Sequence, residues 1–304
     1  MTKLKTFREA LQSQAFTVTA EMGISPKMHA NEIVEQAKVL STWADAVQVP
    51  DHRHARPHIS NLVIAAHLLN NDIDPIVHMN CRDRNRIAIQ SDLLGAHSLG
   101  VSGLLLMLGR RLPADHSSNA TGVYDINAIE LINSAAAIRE GDVLAGENLP
   151  GEPDFFIGTV ASVLRKVDKW KPIRLLSKSD AGAQFIQLQV CMNSKSLQNY
   201  MSRLVAAKLT WRCQVLASLA VFSSADEARL LRKTISDVMV PRDVVQRLKN
   251  SKDPKREGIQ ICAEQLQLVA EIPGIAGVTV MAPGDPAGIA AAIEASGVYR
   301  GREE

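Results

Sequence analysis

Residues 75–108 read PIVHMNCRDRNRIAIQSDLLGAHSLGVSGLLLML, and this stretch decides the fold. The run 75–79 is apolar on consecutive residues, the pattern of a strand buried on both faces. A polar segment follows, then a longer helical pattern over 86–99. A second apolar run, 104–108, starts soon after. Strand, crossover helix and strand in this spacing make a parallel pair covered by a helix.

Outward from this unit the alternation continues. Strands are predicted at 18–22, 46–49, 155–160, 185–190, 213–217 and 277–281. Helices are predicted at 31–40, 60–69, 126–139, 172–181, 196–207, 225–234 and 286–295, with an N-terminal helix over about 1–15. The segment 240–273 is additional and carries helical patterns at 243–249 and 258–271. Eight strand–helix units in this length predict a closed (β/α)8 TIM barrel, a single domain over 1–304. An open doubly wound sheet would need a glycine-rich phosphate loop after an early strand, and Gly109-Arg110-Arg111 is not one. No linker, low-complexity tract or internal repeat divides the chain.

Hydrophobic residues make up 46% of the 304 residues and charged ones 22%, which excludes wholesale disorder. A net charge of +2 gives no reason to expect a nucleic-acid partner. Cys81, Cys191, Cys213 and Cys262 have neither metal-like nor disulfide-like spacing and read as reduced thiols. The N-terminal MTKLKTFREALQSQAF lacks the apolar core of a signal peptide, and no apolar run is long enough to span a bilayer. These features predict a cytoplasmic protein with no membrane association and leave a homo-oligomer open.

In barrels, chemistry is built from residues that end the strands and begin the following loops. Glu21 ends the first strand, where a carboxylate can act as general acid or base. Its competing reading is an ion pair with a nearby arginine. Gln48, Asp51, His52, His54 and His58 cluster at the second strand, and His78, Asn80, Arg82, Asp83 and Arg84 at the third. Gln187 and Gln189 lie in the sixth. His52-Arg-His54 has the alternation of a metal pair, as in metal-dependent hydrolases on this fold. The further His and Asp ligands expected on later strands are missing, so the reading is a polar loop or anion contact and no metal. Arg82, Arg84, Arg86, Arg110 and Arg111 predict a basic mouth that favours anionic ligands, unless they are solvated loop charges.

Several of these segments resemble one family. His78-Met-Asn-Cys-Arg-Asp-Arg-Asn-Arg, continued by Ile89-Gln-Ser-Asp-Leu-Leu-Gly-Ala, resembles the third strand and helix of methylenetetrahydrofolate reductases, closest to their short single-barrel bacterial branch. Thr19-Ala-Glu-Met-Gly is similar to the family's first strand, Asp45-Ala-Val-Gln-Val to its second, and Gly122-Val-Tyr-Asp-Ile-Asn to the stretch before its fourth helix. Gly182-Ala-Gln-Phe-Ile-Gln-Leu-Gln resembles the sixth strand. The likeness spans roughly residues 18 to 297 in order, with the third-strand block the most specific part.

The resemblance implies a folate-dependent oxidoreductase of one-carbon metabolism and methionine biosynthesis. NAD(P)H reduces FAD, which reduces 5,10-methylenetetrahydrofolate to 5-methyltetrahydrofolate. It implies Glu21 as the acid that opens the folate's five-membered ring to an iminium, and Gln189 and Gln48 as folate contacts. His78 and Lys178 stand at flavin-contacting positions. The departures fall on the flavin side. Arg110 replaces the family's aspartate after strand four, Pro50 replaces a threonine after strand two, and Val160 an aromatic or polar residue after strand five. Leu216-Ala217 replaces the Pro-Gly of strand seven. The alternatives are a folate-binding protein that does not use flavin, whether a direct reductase, a methyl-transfer enzyme or a non-catalytic partner subunit, and the metal-dependent hydrolase of the His52–His54 loop.

Overall fold

Short runs of consecutive apolar residues have no solvent face, so they must be covered on both sides; helices outside and side chains inside do this. The structure is a computed structural model describing residues 6–13, 15–52, 55–112, 120–142, 153–164, 169–282 and 284–299. The strands are β1 (Thr17–Glu21), β2 (Ala46–Val49), β3 (Pro75–Asn80), β4 (Gly103–Met107), β5 (Phe156–Ala161), β6 (Phe185–Leu188), β7 (Gln214–Ala220) and β8 (Gly277–Met281). They close in chain order into a parallel barrel, β8 pairing back onto β1 from Thr17↔Gly277 to Glu21↔Met281. The (β/α)8 expectation therefore holds. Among the described residues no helix is long and apolar enough to cross a membrane.

The helices are α1 (Phe7–Gln12), α2 (Ala30–Ser41), α3 (Asn61–Leu69), α4 (Arg86–Leu99), α5 (Ala128–Arg139), α6 (Ile173–Asp180), α7 (Ser194–Ala206), α8 (Ala225–Thr234), α9 (Arg242–Asn250), α10 (Pro254–Ala270) and α11 (Pro286–Ser296). Local signals place their ends. Asn85 caps α4 by accepting from Ala88 N, and Asn127 forms a capping box with Glu130 at the start of α5. Asp253 and Asp285 cap α10 and α11, each ahead of a proline whose missing N–H costs nothing there.

Side chains alternate along each strand, so the barrel interior is layered. The lowest layer holds Ala46, Ile76, Leu105, Phe156, Phe185 and Leu216. From below, α1 plugs it with Phe7 and Leu11, where Phe7 sits edge-on to Phe156 and Phe185 at 5.7 and 5.1 Å. Burying such a side chain is worth about 1.5–3 kcal/mol, and each aromatic pair adds about 0.5–1.5. The helix expected over about 1–15 is thus a bottom plug. Residues 1–5 and 14 lie outside the described residues.

Between β7 and β8 the structure refines the prediction. The outer-layer position over these strands belongs to α10, which packs on β7, β8 and α11. It sits so close that a Cβ at Gly258 would lie 1.8 Å from the Phe222 carbonyl oxygen. The inserted piece is therefore α8, α9 and the segment joining them, not the whole of 240–273. That joining segment forms a strap. Met239 N donates to Val190 O (2.9 Å), and Met192 N donates to Met239 O (2.7 Å). Of the expected strand at 185–190, the regular ladder ends at Leu188; beyond it Gln189 N still donates to Ala161 O (2.7 Å) and Cys191 N to Ser218 O (3.0 Å), while Val190 and Met192 pair with the strap.

Candidate functional site

Above the floor lies a polar layer. Gln48 on β2 is fully buried and is its hub. Its Nε2 donates toward Gln187 Oε1 (2.8 Å), Thr279 Oγ1 (2.9 Å) and Thr19 Oγ1 (3.0 Å), two N–H groups shared among three acceptors. Its Oε1 accepts from His78 Nε2 (3.0 Å). With the amide oriented by this network, His78 is the Nε2–H tautomer. Buried polar groups that satisfy one another in this way fix side-chain positions.

The top layer surrounds a cavity of about 360 Å³ at the C-terminal ends of the strands. Glu21, His78, Gln187, Gln189 and Arg110 all line it, as do Pro50 and Val160. Glu21 is 6% exposed, at the end of β1 beside Gln48 and Met281 in register. Four of the six candidate residues thus meet at one cavity. Two do not. Gln48 lies beneath it, its amide spent on the network. Lys178 on α6 directs its Nζ to the Val160 carbonyl (2.8 Å), outside the lining. Burial, with Arg174 adding repulsion, lowers the Lys178 ammonium to about 8.

Arg110 is held in place from two sides. Gly109 before it has φ 82°, and a Cβ there would press on Asn80 and Arg82 at 3.0–3.2 Å, so the turn needs glycine. Arg110 Nη2 donates to Asp237 Oδ1, and Ser162 Oγ donates to Asp237 Oδ2 (2.6 Å). Burial pushes the Asp237 carboxyl up, but these bonds outweigh it and hold it below the usual range. Asp237 and Ile235 reach the cavity from the strap. Sequence reasoning missed both. The only local signal is the short apolar run 238–240 ahead of Pro241.

The expected basic mouth is corrected by its carboxylates. Arg82 donates to Asp83 through Nε (2.6 Å) and Nη2 (2.7 Å). Arg84 grips both oxygens of Asp51 (2.7 and 3.0 Å) and also bonds Asp92. With Arg110 on Asp237 and Arg86 beside Asp125 (3.9 Å), four of the five arginines following β3 and β4 are paired; Arg111 is exposed and lines a different cavity. The carboxylates were present in the sequence, but their pairing is a property of the fold.

Asp51, His52 and Asp83 bring three ligand-type atoms within 4.8 Å of one another. Both carboxylates are already bonded to guanidinium groups, so a cation would have to displace two arginines. Burial would raise the Asp83 carboxyl, but bonds from His52 and Arg82 hold it well below the usual range. His58 accepts from His52 N through Nε2 (3.0 Å), and its Nδ1 contacts Ile59 O (2.6 Å), so both ring nitrogens are engaged. His54, the second half of the predicted pair, lies outside the described residues.

Solved structures share this architecture. An uncharacterized protein from Clostridium thermocellum, described as binding two copies of 5-methyl-5,6,7,8-tetrahydrofolic acid, aligns with TM-score 0.66 at 12% identity, over 95% of this chain and 96% of that one. EDTA monooxygenase from Chelativorans sp. BNC1 aligns with TM-score 0.54 at 9% identity, over 93% and 92%. Oxaloacetate acetylhydrolase in complex with oxalate aligns with TM-score 0.51 at 12% identity, over 91% and 80%. At such identities these likenesses speak for the fold alone. No curated protein sequence matches the chain. The family model is decisive: methylenetetrahydrofolate reductase matches residues 6–282, and the chain belongs to that family.

Proposed function

We propose that this protein binds a reduced folate at the barrel mouth and reduces 5,10-methylenetetrahydrofolate to 5-methyltetrahydrofolate with a reduced nicotinamide as hydride donor. The observation that carries the reading is the meeting of Glu21, His78, Gln187 and Gln189 around one cavity. That cavity lies near the lower end of the roughly 300–1,000 Å³ range of small-molecule sites. The described likeness of folate binding in the Clostridium thermocellum protein supports the ligand class.

The described wall does not fit FAD. Pro50 offers no N–H donor and Val160 no polar side-chain atom. Arg82 and Arg110, cations that could meet a pyrophosphate, are committed to Asp83 and Asp237. No step is therefore routed through flavin. Glu21 gives its proton to the ring nitrogen that leaves the methylene carbon. The C–N bond breaks to an iminium, and the nicotinamide hydride adds to that carbon. One proton and one hydride are consumed, and Glu21 regains its proton from solvent. The Gln48 network holds His78 and Gln187 beneath the ligand, and the apolar Met107 and Met281 help exclude water.

The test is NADH or NADPH oxidation dependent on methylenetetrahydrofolate, with wild type and Glu21→Gln, alongside the visible spectrum of the purified protein. The reading expects a colourless protein whose turnover falls about 10²- to 10⁴-fold in the variant, the usual worth of a general acid. Unchanged turnover in Glu21→Gln rejects the acid. Stoichiometric flavin retained through gel filtration rejects the flavin-free wall.

A further inference from the structure

The strap between α8 and α9 has two sides. Ile235 and Asp237 face the inner cavity. Met239, Val240 and Pro241 line a second cavity of about 480 Å³ on the outer side, together with Arg232 and Arg242. The two cavities share no lining residue among those described, so the outer one is a site of its own. Its two cations stand at the two ends of the strap: Arg232 lies in the last turn of α8, and Arg242 is the first residue of α9. Both are exposed. Among the described residues neither has an ion-pair partner, whereas Arg82, Arg84, Arg86 and Arg110 at the mouth are each paired. No described carboxylate lines the outer cavity. Asn193 and Ser196 also line it, but the N-terminus of α7 is already capped, because Ser196 N donates to Asn193 Oδ1 (2.7 Å). The uncompensated charge here is that of the two guanidinium groups.

We propose that the outer cavity binds a small organic diphosphate, its phosphate groups meeting Arg232 and Arg242 and its body resting on Met239, Val240 and Pro241. Charge selects the anion. Guanidinium forks donate to phosphate and carboxylate oxygens alike. Exposed cations are screened, however, so a contact gains most where the ligand charge is high, and a phosphate group carries about −1.5 to −2 where a carboxylate carries one negative charge. Size selects the body. The volume falls within the roughly 300–1,000 Å³ of sites for whole small molecules rather than lone ions. Bound there, the ligand staples the two ends of the strap, whose middle is tied down where Met239 N donates to Val190 O (2.9 Å) and Met239 O accepts from Met192 N (2.7 Å). The site takes no part in the hydride step and does not depend on the folate reading.

The experiment titrates ADP, pyrophosphate and citrate into the full chain by calorimetry at constant ionic strength. It compares wild type, Arg232→Gln/Arg242→Gln and Lys252→Gln/Arg256→Gln, with thermal melts to confirm folding. The last variant removes two exposed cations outside the cavity lining. The expected result is one ADP per chain, with pyrophosphate weaker and citrate weaker still. Each exposed pair is worth roughly two- to fivefold, so the Arg232 and Arg242 variant should lose roughly 4- to 25-fold in ADP affinity and the control nothing. Hydrogen exchange at the Met192 and Met239 amides should slow when ADP is bound, because the stapled strap opens less often. No saturable binding of any probe, equal losses in the two variants, or citrate binding as tightly as ADP overturns the proposal. Binding without protection at Met192 and Met239 overturns it as well, since the ligand then sits elsewhere.

Discussion

Replacing Gln48 by leucine tests whether the polar layer is structural. The shapes are similar, so the change removes hydrogen bonds more than volume. Thr19 and Thr279 keep each other at 2.9 Å, and Thr19 keeps its bond to Val278 O. His78 Nε2 gives up its bond to Gln48, a net loss of about 0.5–1.5 kcal/mol. Gln187 Oε1 loses its buried donor, which costs about 1–3 kcal/mol. Both side chains also border the cavity, from which water can enter, so we expect about 2–4 kcal/mol of destabilisation. At about 2–4 °C per kcal/mol for a large domain, the melting temperature drops by roughly 4–16 °C. Urea unfolding followed by circular dichroism should show a lower midpoint at constant slope. Gln48→Leu/Gln187→Leu should recover part of the loss, because the orphaned acceptor is gone. A single variant within about 0.5 kcal/mol of wild type would refute the reasoning and return Gln48 to the role of ligand contact.

Other outcomes follow from the same geometry. Burial lowers the His58 pKa from its ordinary 6.5, against an opposing contribution from the Ile59 carbonyl, with His52 lowering it further and Asp51 raising it. Below about pH 6.5 the unfolded chain takes up a proton that folded His58 resists, so stability falls with pH over that window. In His58→Gln the loss of melting temperature between about pH 7 and 5 should be smaller than in wild type; equal slopes would assign the effect elsewhere. Asp237→Asn removes the charge that neutralises Arg110, so an anionic ligand of the inner cavity should bind more tightly at low salt and lose that gain at high salt. A titration series with no change in salt slope would contradict it. Gly258→Ala drives a methyl group into the Phe222 carbonyl, and because backbone must move, we expect a loss above about 3 kcal/mol, read by the same urea assay.

The barrel was legible because its signal is local and repeated. A strand such as 104–106 is Leu-Leu-Leu, and only burial on both faces explains it. Glu21 and Gln189 were legible as strand-end polar residues, and both line the cavity. Gln48 shows the limit. A glutamine ending a strand reads the same whether its amide meets a ligand or a neighbouring side chain, and only the barrel's closure brings Gln187, 139 positions away, within 2.8 Å. The arginines after strands three and four show it again. Counted along the chain they make a basic mouth, but Asp51 reaches Arg84 across 33 positions and Asp92 returns from α4.

Arg110 makes the same point at the cavity. Read along the sequence, an acid exchanged for arginine after β4 reverses the charge beside the reacting atoms. In space the exchange is a transposition, because the insertion between β7 and β8 brings Asp237 to the same mouth and locks it to Arg110 and Ser162. The pair is net neutral, but its carboxylate now approaches from the strap rather than from β4. A ligand edge that offers N–H donors would therefore turn toward the strap, the side on which the outer arginines stand. The insertion thus carries the mouth's counter-charge on one face and the outer cavity's cations on the other, all within residues 232–242.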